Sequence, residues 1–89
     1  MKQFDFLIKD PMGLHARPAT MIYNLCSKCE STIRISFHDS VITGDNILAV
    51  MGLYAKMGDV LHISVEGPAE EAEFQEVKGL FEELNQSFE

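Results

Sequence analysis

Val60-Leu61-His62-Ile63-Ser64-Val65-Glu66 reads as a β-strand with one dry face and one wet face. Leu61, Ile63 and Val65 fall on one side at period two, His62, Ser64 and Glu66 fall on the other, and Gly67-Pro68 ends the run. Unbroken apolar strands, the mark of a sheet buried on both faces, are absent from the chain. The sheet therefore has one face covered by helices and the other in water.

The same alternation recurs on either side. Residues 3–9 set Phe4, Phe6 and Ile8 against Asp5 and Lys9, and Thr32 to Phe37 sets Ile33, Ile35 and Phe37 against Arg34 and Ser36. The polar His38-Asp39-Ser40 turn leads into Val41-Ile42-Thr43, which makes a hairpin. Between the strands the period lengthens. Ala19, Ile22, Tyr23 and Cys26 predict the inner face of a helix over roughly 16 to 28. Asn46 is a good N-cap for a short helix with an inner stripe of Ile47, Val50, Met51 and Tyr54. Phe74, Val77, Leu80, Phe81 and Leu84 predict a last helix, with Glu70, Glu71 and Glu73 in its first turn, where the positive helix end favours carboxylates. The order is β-α-β-β-α-β-α, an α+β arrangement, and with 89 residues the chain is expected to be one domain spanning 1–89.

Composition narrows the function. Acidic residues outnumber basic ones 14 to 7, a formal charge of −7 that repels nucleic acid and anionic lipid surfaces. Lys2, Asp5, Lys9 and Asp10 interrupt the start of the chain, so it reads as neither a signal peptide nor a membrane insertion, which leaves the cytoplasm. Cys26 and Cys29 form a lone C-x-x-C with no second Cys/His pair after it. A thiol-redox module is one reading; two small residues on the inner side of a helix is the other, and the better one.

Two residues look locally wrong. Pro18 belongs in the first turn of a helix, because beyond it the ring clashes with the carbonyl four residues back, so the first helix begins at about His15. His15 is then the N-cap or its neighbour, a position where histidine serves poorly. Arg17 sits in the same first turn and faces the positive helix end, at a cost of about 0.3–1 kcal/mol. An anion removes both objections, since the free N–H groups of Ala16 and Arg17, the helix dipole and the guanidinium would converge on a phosphate beside His15. The same positive surroundings disfavour a charge on the ring and leave a lone pair to attack phosphorus. A solvated turn histidine is the plainer reading of His15 alone, but it leaves Arg17 unexplained. His15, His38 and His62 lie on separate elements without ligand spacing, so no metal is expected, and no cofactor is implied.

Gly13-Leu14-His15-Ala16-Arg17-Pro18-Ala19 resembles the active-site signature of the HPr family, the histidine-containing phosphocarriers of the bacterial phosphoenolpyruvate-dependent sugar phosphotransferase system. The likeness extends along the chain through Asn46 to Leu53 and the Gly67 turn. It implies an open-faced sandwich, a four-stranded antiparallel sheet with three helices on one face. It also implies that His15 is phosphorylated on Nδ1 by phospho-Enzyme I and donates to a histidine of IIA proteins, with Arg17 and the amides of Ala16 and Arg17 binding the phosphoryl oxygens. Such a chain is a phosphoryl-transfer intermediate rather than an independent catalyst, and it is expected to be a monomer. Apolar residues off the inner stripes, Met12, Met21 and Leu48 with Met51 at the stripe's edge, are the candidates for partner binding.

Two departures bear on that picture. Many Gram-positive members carry a phosphorylated regulatory serine at the start of the second helix, where this chain has Asn46; an amide caps a helix but cannot accept phosphate. Lysines around that helix often complement an acidic Enzyme I, whereas Ser40, Asp45 and Ala49 stand here. The alternative to transport is a regulatory interaction protein whose His15 phosphorylation state is read by a dedicated partner.

Overall fold

The computed structural model describes residues 1–89. Strand β1 (Lys2–Leu7) is followed by helix α1 (Ala16–Cys26), the hairpin β2 (Thr32–Phe37) and β3 (Ser40–Thr43), a short α2 (Ile47–Met51), β4 (Val60–Glu66) and α3 (Glu70–Gln86). All pairings are antiparallel, in the order β1-β4-β2-β3. The architecture is a four-stranded antiparallel open sheet with three helices, an open-faced sandwich.

The central strand β4 pairs with β1 through Phe4↔Ile63 and with β2 through Ile35↔Ile63. Leu61, Ile63 and Val65 are buried and His62 is exposed, as the alternation requires. A one-residue slip would turn those three side chains to water, at about 1.5–3 kcal/mol each, so the register is tightly specified. Phe81 of α3 meets Phe4 and Phe6 of β1 edge-on, at centroid distances of 5.6 and 4.8 Å. Those rings attach α3 to the edge of the sheet.

Several boundaries and one helical stripe differ from the sequence expectation. β1 stops at Leu7 because Ile8 leaves the ladder; its N–H donates to the Asp59 carbonyl at 2.9 Å and its carbonyl accepts the Gly58 N–H at 2.8 Å. α1 stops at Cys26, after which the N–H groups of Lys28 and Cys29 turn back to carbonyls three residues behind. Tyr23 is at the exposed margin of α1, whose buried face is Pro18, Ala19, Ile22 and Cys26. The buried stripe includes Pro18 and leaves out the tyrosine that the spacing had placed in it. Tyr54 is not on the inner face of α2. The helix ends at Met51, the following bonds close three-residue turns, and Tyr54 adopts φ 53° in solvent while Leu53 and Ala55 go into the core.

Candidate functional site

The loop from Asp10 to Leu14 sets where α1 begins. The Gly13 N–H donates to the Asp10 carbonyl at 2.9 Å, and the Leu14 N–H donates to the Ala55 carbonyl at 3.1 Å. Gly13 has φ +66°, and a Cβ there would lie 2.4 Å from the Ala55 oxygen, so any side chain would push the loop off the segment after α2. Leu14 plugs into the core, and the chain then turns into the helix at His15.

His15 is the N-cap of α1, with φ −84° and ψ −173°, and no side chain caps the first turn. Its carbonyl accepts the Ala19 N–H at 3.2 Å. The N–H groups of Ala16 and Arg17 lie in the turn where an α-helix has no internal acceptors. α1 carries no acidic residue there. Arg17 is exposed and takes part in none of the six ion pairs of the chain.

The sequence reading missed Asp10. Its Oδ2 lies 2.9 Å from His15 Nε2, and its Oδ1 accepts the Met12 N–H at 2.8 Å. Burial pushes the Asp10 carboxyl up, but the Met12 amide, the His15 hydrogen bond and the charges of His15 and Arg17 outweigh it and leave the group below its ordinary value. The surroundings of His15 are thus not uniformly positive, as the first turn alone suggests: a carboxylate stands on one ring nitrogen. The available signal was an aspartate five residues before a histidine across a Pro/Gly turn, a spacing too common to single out.

Asp10, Arg17 and Met21 line one groove together with Glu83 to Phe88, the end of α3 and the two residues after it. Among the apolar candidates, Met12 and Leu48 are 71% and 80% exposed, while Met21 and Met51 are half-buried. Tyr54, which the spacing placed on an inner stripe but which is 81% exposed, and Met57 are further exposed hydrophobics on the segment that carries the Ala55 contact. Asn46 caps α2, its Oδ1 accepting the Ala49 N–H at 3.0 Å. His38 and His62 lie apart from the site, His38 in the β2–β3 turn and His62 on the open sheet face with its Nδ1 2.6 Å from Asp5. Burial pushes the Cys26 thiol up to about 12, with Cys29 and Asp45 adding to it, and burial, Glu73 and Glu76 push Cys29 up to about 11. Both shifts favour the protonated thiol, opposite to the lowered value that a reactive redox cysteine needs.

The family model PTS-HPr, described as the PTS HPr component phosphorylation site, matches residues 2–83. The chain belongs to the HPr family. Phosphocarrier protein HPr of Lysinibacillus sphaericus is 33% identical over 84 residues, which cover 94% of this chain and 96% of that protein. Phosphocarrier protein NPr of Proteus mirabilis is 30% identical over 76 residues, 84% of each chain. Among solved structures, HPr-C-His from Thermoanaerobacter tengcongensis superposes with TM-score 0.85 at 32% identity over 94% of both chains. A mycoplasma histidine-containing phosphocarrier protein gives 0.88 at 29% over 92% of this chain and 93% of its own. HPr membership places the chain among the phosphocarriers of the phosphotransferase system. No helix is long and apolar enough to cross a membrane.

Proposed function

We propose that this chain, acting as one phosphocarrier domain over 1–89, takes a phosphoryl group from phospho-Enzyme I onto Nδ1 of His15 and passes it to IIA proteins. The observation that carries the reading is the start of α1: an N-cap histidine, no capping side chain, and an exposed arginine without an ion-pair partner two residues on. Arg17 and the amides of Ala16 and Arg17 bind the phosphoryl oxygens, so the anion occupies a place that the fold does not fill itself. Met12, Met21, Leu48 and Met51 contribute the apolar part of the docking surface. The chain works as a cytoplasmic monomer without cofactor or metal.

A carrier has to release what it binds. One arginine at an exposed rim holds the phosphoryl group without making transfer uphill, since strong ground-state binding would slow the next step. The test is incubation with Enzyme I and labelled phosphoenolpyruvate. Acid-labile, base-stable label should enter the chain, vanish in His15→Ala and pass onward to a IIA protein. Label equal in His15→Ala overturns the assignment.

A regulatory reading rests on charge. The formal charge is −7 and α2, Ile47–Met51, carries no lysine, so its surface does not complement an acidic Enzyme I. On that reading a dedicated partner senses phospho-His15. Label that enters the chain, never reaches a IIA protein and alters affinity for a target would select it. Asn46 stands where a regulatory serine would, and no ATP-dependent phosphorylation is expected there.

A further inference from the structure

We infer that Asp10 is a positioning residue for the phosphoacceptor: its carboxylate holds the His15 ring by Nε2–H, turns the Nδ1 lone pair toward the donor, and faces the charge that the ring acquires during transfer. The inference rests on the assignment of His15 as the acceptor.

A carboxylate can only accept, so the 2.9 Å contact between Asp10 Oδ2 and Nε2 requires the hydrogen on Nε2. In a neutral imidazole the other nitrogen then carries the lone pair, and that is Nδ1. Nδ1 makes no hydrogen bond to any group of the protein, so nothing must be broken before it attacks. The two nitrogens point to opposite sides of the ring. Asp10 therefore lies off the line of attack at Nδ1, although it shares a groove with Arg17, whose guanidinium and the amides of the first turn remain free of ion-pair or capping partners.

The carboxylate is itself held. Oδ1 accepts the Met12 N–H, the Asp10 carbonyl accepts the Gly13 N–H, and the chain just before it is clamped from α3. Buried Asn85 donates from Nδ2 to the Leu7 carbonyl at 2.8 Å and accepts the Lys9 N–H at 3.2 Å. A group fixed on both sides can orient a ring, because rotating away would cost these bonds as well as its own.

The charge follows from the bonds. As Nδ1 forms its bond to phosphorus, the bond from phosphorus to the donor group of phospho-Enzyme I breaks and that group keeps the electron pair. Nε2 retains its proton, so the ring gains a positive charge directly opposite the Asp10 carboxylate. An aspartate that accepts from the far nitrogen of a reacting imidazole holds the tautomer and stabilises the cation without taking the proton. Onward transfer reverses each change.

Asp10→Asn and Asp10→Ala form a graded pair: the amide carries no charge and has one oxygen for two donors, the Met12 N–H and the His15 Nε2–H, while alanine has no acceptor for either. Proton–nitrogen NMR should show a downfield Nε2–H in the wild-type chain, a weaker one in Asp10→Asn, and its loss to solvent exchange in Asp10→Ala, with the backbone amide spectrum showing each variant folded. With phospho-Enzyme I as donor, the maximal rate of phosphorylation should fall about tenfold in Asp10→Asn and further in Asp10→Ala, with KM for the donor unchanged. An unaltered Nε2–H signal in Asp10→Ala, or equal maximal rates in all three proteins, overturns the inference. A wild-type chain that takes no label sinks the carrier assignment instead, and the NMR arm still decides whether Asp10 holds the ring.

Discussion

α1 and α3 start in opposite ways within one small chain. The first turn of α3 contains Glu70, Glu71 and Glu73, and all three have partners within the chain, Glu71 through an exposed ion pair with Lys2 at 3.4 Å. Glu70 accepts the Gly67 N–H at 3.1 Å and meets the N-terminal amine at 3.0 Å, while Glu73 accepts the N–H groups of Glu30 and Ser31, both at 2.8 Å. Neither helix has a capping side chain, but the first turn of α1 has no carboxylate and carries an arginine instead. The α3 end is neutralised from within. The α1 end is left for an anion that the chain does not supply, and there we propose that the phosphoryl group binds. The lesson is that a helix end with its own electrostatics inverted trades a little stability for a place to bind.

Substitutions at the two ends should therefore have opposite consequences. Arg17→Ala is expected to lower the phosphotransfer rate by about a hundredfold, as removal of a transition-state donor does. Its melting temperature should stay level or rise slightly, because a cation leaves the positive end of a dipole. A calorimetric loss of stability matching the loss of rate would mean that Arg17 serves the fold. Glu73→Gln should do the reverse: phosphotransfer is retained, while denaturant unfolding loses about 1–3 kcal/mol, because the amide has one oxygen for the two backbone N–H groups that the two carboxylate oxygens accept.

The end of α2 lies between these cases. Asn46→Ala removes a side-chain cap and should cost about 1 kcal/mol by the same unfolding measurement, with phosphotransfer unchanged. The smallest effect concerns acid. The Asp10 carboxyl lies below its ordinary value of 3.8, so its bond to His15 is fully present above that pH and is lost only as pH falls through the lower, folded value. Carboxyl-carbon NMR should show Asp10 still ionised at pH 4; titration above that pH would remove the contact from the working site.

Much of the fold was legible because it depends on short-range periodicity. The alternation of Leu61, Ile63 and Val65 with His62 and Ser64 is a local consequence of strand geometry, and the buried face follows from it. Pro18 limits where α1 can begin, whatever the rest of the molecule does, so the helix start at His15 could be read directly. Asn46 was likewise readable as a cap. Tyr54 was misplaced because a five-residue helix is too short for its period to decide a position one turn further on; the burial of Leu53 and Ala55 against other elements did so. The early end of β1 has the same origin, since Ile8 is drawn off by Gly58 and Asp59, fifty residues away.

Sequence alone determined the element order, the dry and wet faces of the strands, and the conflict between His15, Arg17 and the start of a helix, because each depends on bonds and sterics within a few residues. Only the tertiary structure decided where the carboxylate of Asp10 points, that Arg17 has no ion-pair partner, and which apolar side chains beyond α2 stay in water. Those depend on how distant segments close upon one another: Gly13 against Ala55, and Asn85 against Leu7 and Lys9. Local spacing carries no record of such closures, since the groups that meet are fixed by the packing of the whole chain.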